Sequence, residues 1–310
     1  MNILAQRIVT QQSHILVATD LTDGRYLIPH AIAHAQATSA RVTILHVIFP
    51  INLVPDQAGY IPYVDLDTND DEVQAEVAKM AQELTSQGIA CDYIVKHGLV
   101  LDVIADTVGR DAVSELIIGT HGRRHLAQYV LGSVASELLT SIDVPIFAVG
   151  PHTAGSHIKP RKILYPVSLL NGCDHRVGYA VDLAKSYQAE LTLLYVLESD
   201  VKDSVNPART FEWAHNAVKA LIPNSALRVS VQTVVTAGSL VEQIPIVASQ
   251  IEADWIVMGV DGSAPFWSFA DSTAYKVLAS SICPVLTLRY EHSPKATSAE
   301  HDEKCLPILG

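Results

Sequence analysis

The sequence predicts a chain of two tandem doubly wound α/β domains. Three observations carry that expectation. Short apolar, β-rich runs alternate with helix-periodic segments, the pattern of parallel strands joined by right-handed crossovers. The order of elements in the first half recurs in the second. Each copy spans about 140 residues, the length of one such domain.

In the first half HILVATD (His14 to Asp20) reads as a buried strand ending in a carboxylate, followed by a turn at LTDGR. The Ala-rich segment Tyr26 to Ala40 has the apolar spacing of a helix. VTILHV (Val42 to Val47) is a second strand, and Ile48 to Asp65, with Pro50, Pro55, Gly59 and Pro62, reads as a long loop. Asp70 to Gln87 is a helix with Gly88 as its stop. CDYIVKHG, Leu99 to Arg110, Glu115 to Ile118 and PIFAVG (Pro145 to Gly150) then read as strand, helix, fourth strand and fifth strand.

The second half repeats the series. KILYPVS (Lys162 to Ser168) matches the first strand, and LTLLYVL (Leu191 to Leu197) the second, with Val196 opposite Val47. Gly238 matches Gly98 and Ile244 matches Ile104. IVMGVDG (Ile256 to Gly262) matches IIGTHG, and CPVLTL (Cys283 to Leu288) matches VPIFAV. The expected boundaries are residues 1–150 and 161–290, joined by the Pro/Gly/Ser linker PHTAGSHIKP, with a flexible tail at 291–310.

Composition bounds the function. The chain has 310 residues, 49% hydrophobic and 17% charged, enough apolar material for two cores. Its net charge of −12 argues against an extended nucleic-acid surface. No apolar stretch approaches the ~18 residues of a membrane span, and MNILAQRIVTQQ lacks the features of a secretory leader. Cys91, Cys173, Cys283 and Cys305 form no C-x-x-C pair. The expectation is a soluble cytoplasmic protein with reduced thiols.

The segment LIIGTHGRRHLAQYVLGSVA (Leu116 to Ala135) holds the chemistry. An apolar strand gives way to Gly119 and Gly122, then to Gly132-Ser133 at the start of a helix-periodic run. Glycines let main-chain amides approach a ligand. A helix start carries unpaired N–H donors and partial positive charge, which suits a phosphate. Ser133 adds a hydroxyl, and Arg123, Arg124 and His125 add cationic side chains.

These residues resemble the universal stress protein family, whose nucleotide-binding members carry G-x2-G-x9-G-(S/T). Gly119, Gly122, Gly132 and Ser133 fit that motif without a gap. The tandem repeat resembles the family's two-domain members over roughly residues 13–290. The resemblance implies a five-stranded parallel sheet with helices on both faces in each copy, and a nucleotide at the carboxyl ends of strands one and four. It implies an adenine nucleotide, ATP or else AMP or ADP, with Mg²⁺ held mainly by phosphates and water. Ala18, Thr19, Asp20 and Val47 would border the adenosine, with Ile118, Gly119, His121, Gly122 and Arg123 under the ribose and phosphates. Gly132, Ser133, Val134 and Ala135 would hold the phosphates. It further implies that the two copies pair through their fifth strands, covering exposed edges; a homodimer of the whole chain is left open.

The residues supply no dedicated hydrolytic base, so at most a slow ATPase is expected. His121 and His125 have no carboxylate partner within their loop segment and read as phosphate-lining or surface residues. His30 and His34 have a metal-capable spacing. Ala31 stands where a H-E-x-x-H site needs Glu, so a surface or half-buried pair is expected and no metal site is assigned. A nucleotidyltransferase or ATP pyrophosphatase would need an H-I-G-H-like or S-G-G-x-D-S-like segment, and neither occurs. A third reading is an interaction scaffold with a vestigial pocket.

The second copy departs from the motif. Ser168 replaces Asp20, Ser272-Thr273 replaces Gly132-Ser133, Asp261 replaces His121, and Ser263-Ala264 replaces Arg123-Arg124. Losing cations and gaining Asp261 and Asp271 disfavours a polyphosphate. Phe266, Trp267 and Phe269 could line a different, apolar ligand site, but are expected rather to pack against the first copy. One competent site and one degenerate copy are therefore expected.

Overall fold

The computed structural model of the chain describes residues 13–49, 51–56, 59–64, 70–120, 131–150, 153, 157–169, 176–197, 207–261, 269 and 272–290. The expected tail at 291–310, the loop residues His121, Gly122, Arg123, Arg124 and His125, and Cys173, Phe266, Trp267, Asp271 and Cys305 lie outside these.

The first half runs β1 (His14–Thr19), α1 (Gly24–Thr38), β2 (Arg41–Ile48), β3 (Ile51–Asp56), β4 (Gly59–Val64), α2 (Asp70–Ser86), β5 (Cys91–His97), α3 (Val100–Arg110), β6 (Glu115–Gly119), α4 (Ser133–Ser141) and β7 (Ile146–Val149). The second runs β8 (Lys162–Pro166), α5 (Val177–Tyr187), β9 (Glu190–Leu197), α6 (Pro207–Ala220), a 3₁₀ turn at Asn224–Arg228, β10 (Val231–Ala237), α7 (Leu240–Gln250), β11 (Trp255–Asp261), α8 (Thr273–Ser280) and β12 (Val285–Tyr290).

Ten strands form one sheet in the order β10-β9-β8-β11-β12-β7-β6-β1-β2-β5. Within each half the strands of this sheet are parallel. The halves meet where β12 and β7 pair antiparallel, Leu286 opposite Phe147. The fifth strands thus cover each other's edges, as the resemblance implied. The inner strands are apolar on both faces because both faces are covered, whereas the edge strands β5 and β10 are only partly buried. Ile15, Val17, Ile163 and Val257 pack in one layer under α1, α2, α5 and α6. Leu16, Leu164, Ile256 and Met258 pack in the other under α3, α4, α7 and α8.

The internal repeat extends to backbone detail. Gly98 and Gly238 close β5 and β10 with φ of +148° and +141°, where an L side chain is strained.

Ile48 to Asp65, expected to be a long loop, contains the antiparallel hairpin β3–β4, with Pro55 opposite Tyr60 and Leu53 opposite Pro62. The prolines and Gly59 read as breakers, yet in a two-stranded ribbon each strand is an edge, where a missing N–H is tolerated.

His30 and His34 are a second correction, because neither is at the surface. They are 4% and 1% exposed, buried on α1 where the halves join. His34 stacks on Trp255 of the second half (4.7 Å, 15°) and lies 4.4 Å from Phe147. Its Nδ1 is 2.7 Å from Glu115 Oε1, at ion-pair distance. Tyr187 meets Trp255 edge-on at 4.8 Å. The sequence shows α1 as a helix but not that a second copy covers its histidine face.

Candidate functional site

The first half reverses strand order at β1, which lies between β6 and β2. Ligands of open α/β sheets bind outside the carboxyl ends of strands at such a point. β1 is positioned there by its register, Ala18 beside Ile118 and Thr19 beside His46. Ala18, Asp20, Val47 and Gly119 are half-buried at these strand ends, whereas Thr19 and Ile118 are buried.

The turn after β1 is held by its own side chains. Thr19 Oγ1 accepts from the Leu21 N–H (2.9 Å) and donates to Asp23 Oδ1 (2.5 Å). Asp20 Oδ1 accepts from the amide and hydroxyl of Thr22. Leu21 adopts φ +75°, unusual for a non-glycine residue and sustained by these bonds. From β2, His46 Nδ1 donates to the Thr19 carbonyl (2.8 Å), which fixes that nitrogen as the protonated one.

Two of these groups were missed by sequence reasoning. Asp23 is the N-cap position of α1, 5% exposed. Burial pushes its carboxyl up to about 6, against the Thr19 hydroxyl bond and with the neighbouring Asp20 charge adding to the rise. A carboxylate immediately before a helix is a readable signal, but it was hidden because the helix begins at Gly24 rather than Tyr26. His46 carries no such signal, being one residue of an apolar run.

Gly119 has a close neighbour. A Cβ built on it would lie 2.3 Å from Asp23 Oδ2. Its lack of a side chain is therefore required by Asp23, whatever else it admits.

Beyond β6, Thr120 N–H bonds to Val149 and Gly132 N–H bonds to Thr120 carbonyl (2.9 Å), so both ends of the motif loop are pinned at one point. Gly132 is the N-cap of α4, with no side-chain cap. Ser133 and Val134 are exposed and Ala135 is buried. The structure thus brings Ala18, Thr19, Asp20, Ile118, Gly119 and Gly132 to Ala135 to one end of β1 and β6, with Val47 on the neighbouring β2. His121, Gly122 and Arg123 lie outside the described residues.

The second half differs at the same place. Ser272 is the N-cap of α8, and its hydroxyl accepts from the Tyr275 N–H (3.1 Å). Phe269 is buried against Tyr275 (5.8 Å, edge-on), a ring partner in its own half.

A cavity of about 610 Å³ opens at the opposite, amino-terminal end of β1 and β2, lined by His14, Arg41, Asp92, Arg110 and Asp111. Its charges are mixed. His14 Nδ1 lies 2.9 Å from the Asp111 carbonyl and Nε2 lies 2.8 Å from the Thr43 hydroxyl, so neither ring nitrogen is unspent. Cys91 and Cys283 are free thiols. Burial pushes them up to about 12 and about 11, so neither is a thiolate nucleophile. Among the described residues no group of three His, Cys, Asp or Glu is arranged for a metal, and no helix is long and apolar enough to cross a membrane.

Comparison with known proteins gives one family. The universal stress protein family model matches residues 12–150 and again 159–289. The chain is similar to a universal stress protein from Archaeoglobus fulgidus DSM 4304 (TM-score 0.66, 18% identity, 91% of this chain and 98% of that one). It is also similar to a functionally unknown protein from Pseudomonas aeruginosa PAO1 (0.64, 17%, 92% and 94%). A universal stress protein from Pseudomonas aeruginosa UCBPP-PA14 is comparable (0.62, 17%, 91% and 95%). At these identities the likeness is one of fold. No curated protein matches the chain.

Proposed function

The chain belongs to the universal stress protein family, as two of its domains in tandem, and on that premise we propose that the amino-terminal copy binds one adenine nucleotide in a regulatory role. ATP is the foremost candidate, before AMP or ADP. The observation that carries this reading is the contrast between two helix starts. At α4 the cap is Gly132, which has no side chain to take a first-turn amide. At α8 the Ser272 hydroxyl takes the Tyr275 amide. Unspent amides at a helix start, with its partial positive charge, attract a phosphate. A start already satisfied does so less.

In this reading Ser133 and the amides of Ser133, Val134 and Ala135 take the phosphates. Ala18, Thr19, Asp20 and Val47 border the adenosine, and Ile118 and Gly119 pass beneath the ribose. His121, Gly122 and Arg123 supply the remainder of the loop. This donor set fits a polyphosphate, and Mg²⁺, when bound, would be held by phosphate oxygens and water. The second copy serves as scaffold.

Titration with a fluorescent ATP analogue should saturate near one site per chain, and two equivalent sites would refute the asymmetry. Gly132→Val tests the placement. Its φ of −58° and ψ of 147° accommodate a valine, so the variant should fold with normal circular dichroism and lose ATP affinity. Full affinity in the folded variant would show that the phosphates lie elsewhere.

A further inference from the structure

Asp23 sets a carboxyl group against the face of Gly119 that the nucleotide reading puts beneath the ribose. Its Oδ2 lies 2.3 Å, and its Cγ 3.2 Å, from the point a Gly119 Cβ would occupy. The bare face of the motif's first glycine is therefore already filled by a carboxyl group. That group is held from both sides. Thr19 Oγ1 donates to Oδ1, and the Asp23 carbonyl accepts from the Tyr26 and Leu27 amides that open α1.

Among the described residues the charged surroundings do not neutralise it. From its own turn Asp20 adds a like charge. On α1 the Arg25 guanidinium is turned to Tyr26, stacked 4.6 Å over the ring and bonded to its hydroxyl. From β2, His46 Nδ1 donates to the Thr19 carbonyl. From β6 the neighbour is Gly119, which carries no charge. Among the described residues no cation therefore contacts Asp23, and a nucleotide whose ribose lies over Gly119 brings its phosphate charge into the same cleft as a buried carboxylate, an unfavourable pairing in a low-dielectric site.

We propose that the ionised Asp23 side chain closes the Gly119 face of the cleft to an anionic nucleotide and that its neutral form opens it. The inference rests on the nucleotide reading given above and adds its regulation: the cleft fills when a proton is taken up with the ligand. Burial, which already pushes this carboxyl up to about 6, puts the change within a physiological range.

The test is binding of MgATP to the full chain between pH about 6.5 and about 8.5, where a phosphate monoester is already ionised. If the ligand enters only with Asp23 neutral, wild-type affinity falls up to about tenfold per pH unit above the carboxyl's midpoint. Asp23→Asn, which keeps the shape without the charge, should show a flat profile and bind up to about 100-fold more tightly than wild type at pH about 8. Adenosine, which lacks phosphates, should respond less than MgATP to the same substitution. Asp23→Ser, which puts a hydroxyl suited to an N-cap at that position, provides a second folded variant and should also be flat. A wild-type affinity independent of pH, or variants that keep the wild-type slope, would overturn the gate while leaving nucleotide binding intact. Absence of binding in wild type and variants at every pH would remove the nucleotide reading, and the gate with it.

Discussion

Replacing His30 by Phe should change how stability depends on pH, in a direction fixed by burial. His30 is 4% exposed, 5.4 Å from Phe147 and 6.4 Å from Trp255, and its Nδ1 has no partner among the described residues. Burial, helped by the neighbouring His34 and opposed by a bond to the Ile158 backbone, lowers its pKa from 6.5 to about 4. The unfolded chain therefore binds this proton first. Stability from a neutral His30 is complete above pH 6.5 and is lost as pH falls through 4; the gap corresponds to about 3 kcal/mol. Asp23 works in the opposite sense. Its carboxyl rises from 3.8 to about 6, so the folded chain binds that proton first and gains about 3 kcal/mol as pH falls from 6 towards 3.8. In wild type the two contributions largely cancel over the same window, and only the single variants separate them. Urea unfolding at several pH values between 4 and 7 reads the difference. The stability of His30→Phe relative to wild type should rise by up to about 3 kcal/mol on acidification, and that of Asp23→Asn should fall by a similar amount. Relative stabilities that stay constant, or that move with the opposite signs, would show that burial does not control these two groups.

Two further outcomes follow from packing. Trp255→Ala removes the ring that His34 and Tyr187 pack against, and should cost about 3–5 kcal/mol, seen as a lower urea midpoint; a loss below about 1 kcal/mol would mean the seam is not a packed core. Gly119→Ala puts a methyl where Asp23 Oδ2 lies and should cost about 1–3 kcal/mol by overpacking. That cost should shrink in an Asp23→Ala background, and strictly additive costs would mean that the two residues do not touch.

What the sequence made legible was local. Alternating apolar runs and helical periods placed nine of the ten strands of the main sheet, because a strand buried on both faces must read as Val, Ile and Leu whatever its neighbours are; β10, only partly buried, was marked by no more than the glycine that follows it, Gly238. The glycine motif was legible because spacing alone brings Gly119 and Gly132 to the two ends of one loop. The hairpin β3–β4 was not, since prolines that would break a central strand are harmless in a ribbon of two edges. Asp23 and the histidines of α1 were hidden for another reason. Their character depends on what covers them: Gly119 from a strand almost a hundred residues later, and Trp255 from the other half of the chain. Polar residues at these positions look like caps and surface groups until the tertiary neighbours are in place.

The seam also explains what a tandem chain can do that a pair of identical chains cannot. Glu115 opens β6 opposite Ile15, and Trp255 opens β11 opposite Ile163, so the two residues hold equivalent places in the two halves. His34 touches both. In a symmetric dimer of single domains the same residue would occur at both places. Two carboxylates facing an apolar seam would each be desolvated beside a like charge, and two tryptophans would leave His34 without an anionic partner. Only unlike halves supply one of each. The same freedom reaches the helix starts, where one half keeps an uncapped Gly132 and the other a self-satisfied Ser272. Covalent linkage thus lets the two halves differ both at the join and at the helix starts.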